Sequence, residues 1–127
     1  MDIFDKTADL AISIKESPEY SEFVETKSQV EMTPKAREVL KEYRARQFAL
    51  ELAEIAGEGV DEVNDALAEI CETMEKDVLL NRYLKAEFNL FCLMQKIQDI
   101  FAENLGMQVE PRLMFDAEHG ENGGFLN

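Results

Sequence analysis

The stretch that most constrains this chain is DVLLNRYLKAEFNLFCLMQKIQDIFAENL, residues 77–105. Leu80, Leu84, Phe91, Met94, Phe101 and Leu105 recur at three-, four- and seven-residue steps, and Tyr83, Phe88, Leu90, Ile97 and Ile100 form a second stripe beside them. A helix with one apolar stripe rests on a core, whereas two adjacent stripes call for packing on more than one side. Neither Pro nor Gly interrupts the pattern before Gly106, which suits the left-handed residue that ends a helix. At 1.5 Å per residue the segment would cover roughly 43 Å, more than a small domain needs. It reads as the central helix of an elongated bundle, with surface left over for a partner or a second copy.

Shorter helices precede it. Residues 2–16 place Ile3, Leu10 and Ile14 on one face, flanked by Phe4, Ala8 and Ala11, and Asp2 and Asp5 suit the positive end of the helix dipole. Ser17 can cap a second helix with Pro18 in its first turn. Tyr20, Phe23, Val24 and Val30 would line one side of it. Thr33 and Pro34 repeat that grammar and open a third helix reaching about Ala56. Ala36, Leu40, Tyr43 and Leu50 define its inner line, and Val39, Phe48, Leu52 and Ile55 widen the face. Gly57 and Gly59 break the chain. A fourth helix then carries Val60, Val63, Leu67, Ile70 and Met74 in alternating steps of three and four, a narrow seam of the coiled-coil kind. The phase slips at residues 75–77, where a short kink or connection is expected. From residue 107 onward, Pro111, repeated Gly and the loss of period predict a flexible tail, whose clusters Leu113, Met114, Phe115 and Phe125, Leu126 resemble short docking peptides.

At 127 residues the chain has the length of one domain and enough material for a real core. Its formal charge of −14 argues against direct contact with nucleic acid or an anionic membrane, both of which select clustered cations. The N-terminus has no basic start followed by an apolar run, so it does not read as a signal peptide. No apolar run approaches the length of roughly 20 residues that a membrane span requires. A cytoplasmic protein is expected. Two cysteines, Cys71 and Cys92, are too few for a disulfide framework and not spaced as a metal motif. They read as reduced thiols buried in helices.

The search for chemistry finds little. His119, the one histidine, lies in the Gly-rich tail without the rigid neighbours that a base or a ligand needs. There is no Ser-His-Asp or Cys-His set, no phosphate-cradling Gly loop and no Glu-x-x-His pair of the kind that builds a di-iron bundle. No catalytic residue, cofactor or metal is assigned. The most basic stretch contains Lys35, Arg37, Lys41, Arg44 and Arg46, with Arg37, Lys41 and Arg44 forming a candidate partner-binding face. Interleaved Glu38 and Glu42, the latter four residues before Arg46, also suit an ordinary solvated face.

Four places in the chain carry a resemblance. FDKTADLAISIKES opens it, SPEYSEF covers residues 17–23, YRARQ covers residues 43–47 ahead of Gly57 and Glu58, and RYLKAEFNLFCLMQKIQDIF covers residues 82–101. In order and spacing they resemble the YlbF/YmcA family of small bacterial helical regulators, over roughly residues 1–106. Two departures stand out. Val78 occupies a turn position where the family often has Pro, which favours a more helical connection. The tail has no Cys, unlike members with cysteine clusters tied to iron–sulfur binding. The resemblance implies an oligomeric, non-catalytic protein. Its relatives influence competence, sporulation or biofilm formation within a complex that adjusts the specificity of the endoribonuclease RNase Y.

The combined expectation is an all-α protein: an elongated bundle of four to five helices, the long last one in antiparallel hairpin packing, with a helical domain over residues 1–106 and a tail over 107–127. It would be a cytoplasmic, non-enzymatic regulator or adaptor that binds itself and other regulatory proteins, an RNase complex among them. Phe88, Phe91 and Ile97 are the candidate self-association face. The alternative from another class is a metal- or iron–sulfur-linked redox sensor using Cys71 and Cys92, with His119 in support.

Overall fold

The computed structural model describes residues 1–107. Five helices follow one another: α1 (Ile3–Lys15), α2 (Pro18–Glu31), α3 (Pro34–Ala56), α4 (Val60–Lys76) and α5 (Val78–Leu105). There is no strand among the described residues. The expected tail beyond Met107, with His119 and the two apolar clusters, lies outside the described residues.

The helix starts are chemically explicit. Asp2 accepts from the Asp5 amide at 2.8 Å while the Asp5 carboxylate accepts from the Asp2 amide, closing a capping box on α1. Ser17 accepts from the Tyr20 amide at 3.2 Å, and Pro18 takes the first helical position of α2, where a missing N–H costs nothing. Thr33 departs from the expected grammar. It stands at the N-cap of α3, but its hydroxyl donates backward to the Gln29 carbonyl at 2.8 Å and caps nothing forward. A carbonyl left open by the end of α2 is what it satisfies, so the side chain serves the helix behind it.

Gly57 and Gly59 sit at φ +76° and +73° on either side of Glu58. That left-handed pair is open to Gly at little cost and reverses the chain between α3 and α4 within three residues. α3 and α4 consequently pack as a helical hairpin. The seam expected on α4 is real: Val60, Val63 and Leu67 are half-buried, and Ile70 and Met74 are buried.

Between α4 and α5 only Asp77 leaves the helix, at φ −92° and ψ 119°. The break falls where the phase of the sequence slips, and the connection is a single residue. Asp77 accepts from the Leu80 amide at 2.9 Å, and that cap needs an extended backbone at the capping residue. The helix end at Gly106, φ +67°, falls where the sequence places it.

The chain divides within α5 into two units, Met1–Glu87 and Phe88–Asn127. In the first unit the core is Val30, Ala36, Met74, Leu80 and Tyr83, surrounded by Phe23, Val39, Leu40, Tyr43, Leu79 and Leu84. α2, α3, α4 and the start of α5 each send at least one side chain into it. Thr26 is also fully buried, and its hydroxyl donates to the Glu22 carbonyl at 2.8 Å, so a polar group enters the core without an open valence. In the second unit Leu90 and Gln98 are buried, and Phe88, Ile100 and Leu105 are exposed.

Two expected core faces are not core. α1 has no buried residue, with Ile3 and Phe4 exposed and Leu10 and Ile14 only half-buried. Its contact with α2 is slight, so its apolar side lacks a helix to lie on. On α3 the inner line of Ala36, Leu40, Tyr43 and Leu50 is turned inward, but Phe48, Leu52 and Ile55 are exposed.

Candidate interaction surfaces

The cations of α3 do not share one role. Arg44 turns inward, where its Nη2 donates to Glu87 Oε2 at 2.5 Å and to the Tyr83 hydroxyl at 3.2 Å. The Tyr83 hydroxyl in turn donates to the same Glu87 oxygen at 3.2 Å, which closes a three-membered polar cluster between α3 and α5. Burial pushes the Tyr83 phenol up to about 12, and the neighbouring Glu87 carboxylate adds to the rise. Burial works against the charge of Arg44, but the contact with Glu87 outweighs it and the guanidinium is held more firmly protonated. Arg46 pairs with Glu42 at 3.6 Å and donates to the Ala66 carbonyl of α4 at 2.7 Å.

Arg37 and Lys41 lie on the outer side of α3, and Arg37 donates to the Glu31 carbonyl at 3.0 Å. Of the three residues in the candidate partner-binding face, these two stay exposed, whereas Arg44 is committed to Glu87 and Tyr83. Ala45, Phe48, Leu52 and Ile55 follow Lys41 at steps of four, three, four and three, all exposed. One outward stripe of α3 thus runs from cationic to apolar. Phe48 is 60% exposed, Leu52 51% and Ile55 84%. Sequence periodicity alone enrols these three in a core face. The signal that separates them is their register with Arg37 and Lys41, residues a core face does not carry.

A second polar contact ties α2 to α5. Arg82 donates from Nε to Glu22 Oε2 at 2.6 Å and from Nη2 to Glu22 Oε1 at 2.8 Å, a two-pronged pair. Its Nη2 also reaches Glu25 at 3.2 Å. The Arg82 hydrogen bond holds the Glu22 carboxyl below its ordinary range, and the carboxylate raises the guanidinium in return. Sequence reasoning missed both clusters. Their partners are 60 and 43 positions apart, beyond any helical spacing.

On α5, Phe88 is 63% exposed, Phe91 39% exposed and Ile97 half-buried. Cys71 is half-buried, and burial, with help from Glu75, pushes its thiol up. Cys92 is exposed, against the expectation of two buried thiols, because it projects from α5 on a side away from the buried line of Leu80, Tyr83 and Leu90. Among the described residues no three His, Cys, Asp or Glu side chains converge as a metal site. None of the described helices is long and apolar enough to cross a membrane.

A family model described as control of competence regulator ComK, YlbF/YmcA, matches residues 3–106. The chain belongs to the YlbF/YmcA family. That family is a regulatory one by its description, and the five helices, the last of them long, are the form it takes here. Similar proteins include the UPF0342 protein of Caldicellulosiruptor bescii, 26% identical over 85% of this chain and 92% of its own length. The UPF0342 protein of Symbiobacterium thermophilum is 26% identical over 80% and 91%, and that of Halothermothrix orenii 27% identical over 79% and 86%. No solved structure matches the chain at a significant level.

Proposed function

We propose that this protein is a non-enzymatic adaptor, working in the cytoplasm, that regulates by binding other proteins and itself through the outer faces of its helices. The observation that carries this reading is the set of large apolar side chains left exposed in helical register, Phe48, Leu52 and Ile55 on α3 and Phe88 and Phe91 on α5. Exposed apolar residues scattered singly are ordinary, but runs at helical spacing on two helices mark surfaces that another protein covers. Membership of a family described by control of a competence regulator supports a regulatory role. The partner we assign is a complex that adjusts RNase Y, with consequences for competence, sporulation or biofilm formation. Phe88, Phe91 and Ile97 serve self-association. Arg37 and Lys41 offer the cationic part of the partner face.

The redox alternative draws less support. A reactive thiol needs a lowered pKa, whereas that of Cys71 is raised.

The test is reciprocal affinity purification from the native host with tagged chain and tagged RNase Y, followed by transcript mapping. Co-purification with shifted RNase Y cleavage sites on deletion, both lost in a Lys41→Glu or Phe88→Ser variant, is the expected result. Full recovery of the complex and unchanged cleavage with both variants would refute the reading.

A further inference from the structure

Leu93, Ile97 and Ile100 follow one another at steps of four and three along one side of α5, the first two half-buried and the third exposed. Lys96 and Glu103, both exposed, border the two ends of this stripe, and among the described residues neither enters an ion pair. Asp99, between them, already accepts from Gln95 at 3.0 Å. Gly106, at φ +67°, then takes the chain off the helix axis. Six residues further on, the sequence runs Arg112, Leu113, Met114, Phe115, Asp116: a cation, three large apolar residues and a carboxylate. From Gly106 back along α5 the helix presents a carboxylate, an apolar stretch and a cation. The two orders complement each other when the chain turns back on the helix. Both belong to one unit of the chain, Phe88–Asn127.

We propose that residues 112–116 dock in cis on the stripe of Leu93, Ile97 and Ile100, antiparallel to α5, with Arg112 at Glu103 and Asp116 at Lys96. The lengths close. Glu103 lies three residues before Gly106, about 5 Å along the axis at 1.5 Å per residue. Residues 107–111 span at most about 18 Å, enough to reverse the chain and still bring Arg112 to Glu103. From Glu103 back to Lys96 is seven residues, about 10 Å of helix. From Arg112 to Asp116 is four residues, at most about 14 Å when extended. Leu113, Met114 and Phe115 then fall between the two charge pairs, over Ile100 and Ile97. A second copy competes for the stripe only at its solution concentration, whereas a short connection holds residues 112–116 beside it at an effective concentration on the order of millimolar. The docking does not depend on the self-association proposed above. While docked, the segment covers Ile97 and withholds it from a second copy.

Paramagnetic broadening in the full-length protein tests this. Cys92 is exposed and stands four residues before Lys96, at the end of the stripe where Asp116 is placed. In a Cys71→Ser background, a nitroxide on Cys92 should remove most of the amide signal of Met114, Phe115 and Asp116, relative to the same sample with the nitroxide reduced. Isotope-labelled chain without the nitroxide, mixed with spin-labelled chain of natural abundance, should keep those signals. Ile100→Glu should bring them back in the spin-labelled chain. Ile100 is exposed, so the helix should survive the change, with circular dichroism as the check. Lys96→Glu should raise the signals several-fold by setting like charges together, and adding Asp116→Lys should broaden them again. Full signals in the spin-labelled parent overturn the docking. Broadening in the mixed sample overturns the cis contact and places the segment on another copy. Broadening that survives Ile100→Glu overturns the assignment to this stripe. A Lys96→Glu effect that Asp116→Lys does not reverse overturns the antiparallel register.

Discussion

Removing the Glu87 carboxylate should destabilise the fold by more than an ordinary surface charge would. The cluster of Arg44, Glu87 and Tyr83 joins α3 to α5, and its geometry sets the magnitude. Glu87→Ala takes from Arg44 its 2.5 Å partner and from the Tyr83 hydroxyl its acceptor. Hydrogen bonds to charged groups contribute about 1.5–3 kcal/mol each, against about 0–1 kcal/mol for an exposed ion pair. The side chains of Arg44 and Glu87 are 33% and 29% exposed, so water replaces part of what is lost, while Tyr83 at 4% has little access to it. A loss of about 1.5–2.5 kcal/mol follows. Arg44→Met keeps the aliphatic packing and should cost about 1–2 kcal/mol, and the double variant should cost less than the two together by about 1 kcal/mol. Urea titration followed by helical circular dichroism at neutral pH measures all three, with a common m-value as the sign that the same surface unfolds. Strict additivity, or a Glu87→Ala cost below about 0.5 kcal/mol, would refute the claim that the three groups act as a unit.

Other measurements reach other parts of the molecule. Leu80→Ala opens space at a fully buried position of the core. It should cost about 3 kcal/mol in the same titration; less than about 1 kcal/mol would mean that the core collapses around the gap. Gly57→Ala meets no neighbouring atom but forces a Cβ into φ +76°. A loss of about 1 kcal/mol is expected, and a gain would show that the turn can change its backbone. Glu22 titrates below its ordinary 4.5, so its contact with Arg82 contributes in full above that pH and is lost as pH falls through the lowered value. Glu22→Gln should therefore flatten the acid limb of the stability profile below pH 4.5 and leave its slope near neutrality alone. Tyr83, raised to about 12, favours the fold fully below its ordinary 10 and loses that contribution between the two values; Tyr83→Phe should remove this portion of the alkaline transition.

Much of the architecture was legible in the chain itself because its signals are local. Asp2 and Asp5 at the positive end of a helix, the cap at Ser17, Pro18 and Pro34 in first turns, the glycines at 57 and 106, and the period of Val60, Val63, Leu67, Ile70 and Met74 all act over short stretches of helix. They determined five helices and nearly every boundary, and the order of motifs pointed to the family. Hydrophobic periodicity could not say which apolar residues are covered. Phe48, Leu52 and Ile55 satisfy the same spacing rule as Ala36, Leu40 and Tyr43, yet only the second set meets the core. The difference lies in which neighbouring helix arrives and on what side. The same holds for the candidate partner face. Arg44 leaves Arg37 and Lys41 because Tyr83 and Glu87, 39 and 43 positions away, hold it instead.

The long apolar segment shows the division most clearly. The sequence by itself determined that residues 78–105 form one uninterrupted helix with more apolar surface than a single side can bury, since period and the absence of Pro or Gly are properties of the segment alone. Only the tertiary structure decided which of its residues are inside. Leu80, Tyr83, Ala86 and Leu90 are buried and Phe88 is not, although both apolar stripes look equally eligible. Burial depends on the other surface, and a periodic pattern specifies only one of the two.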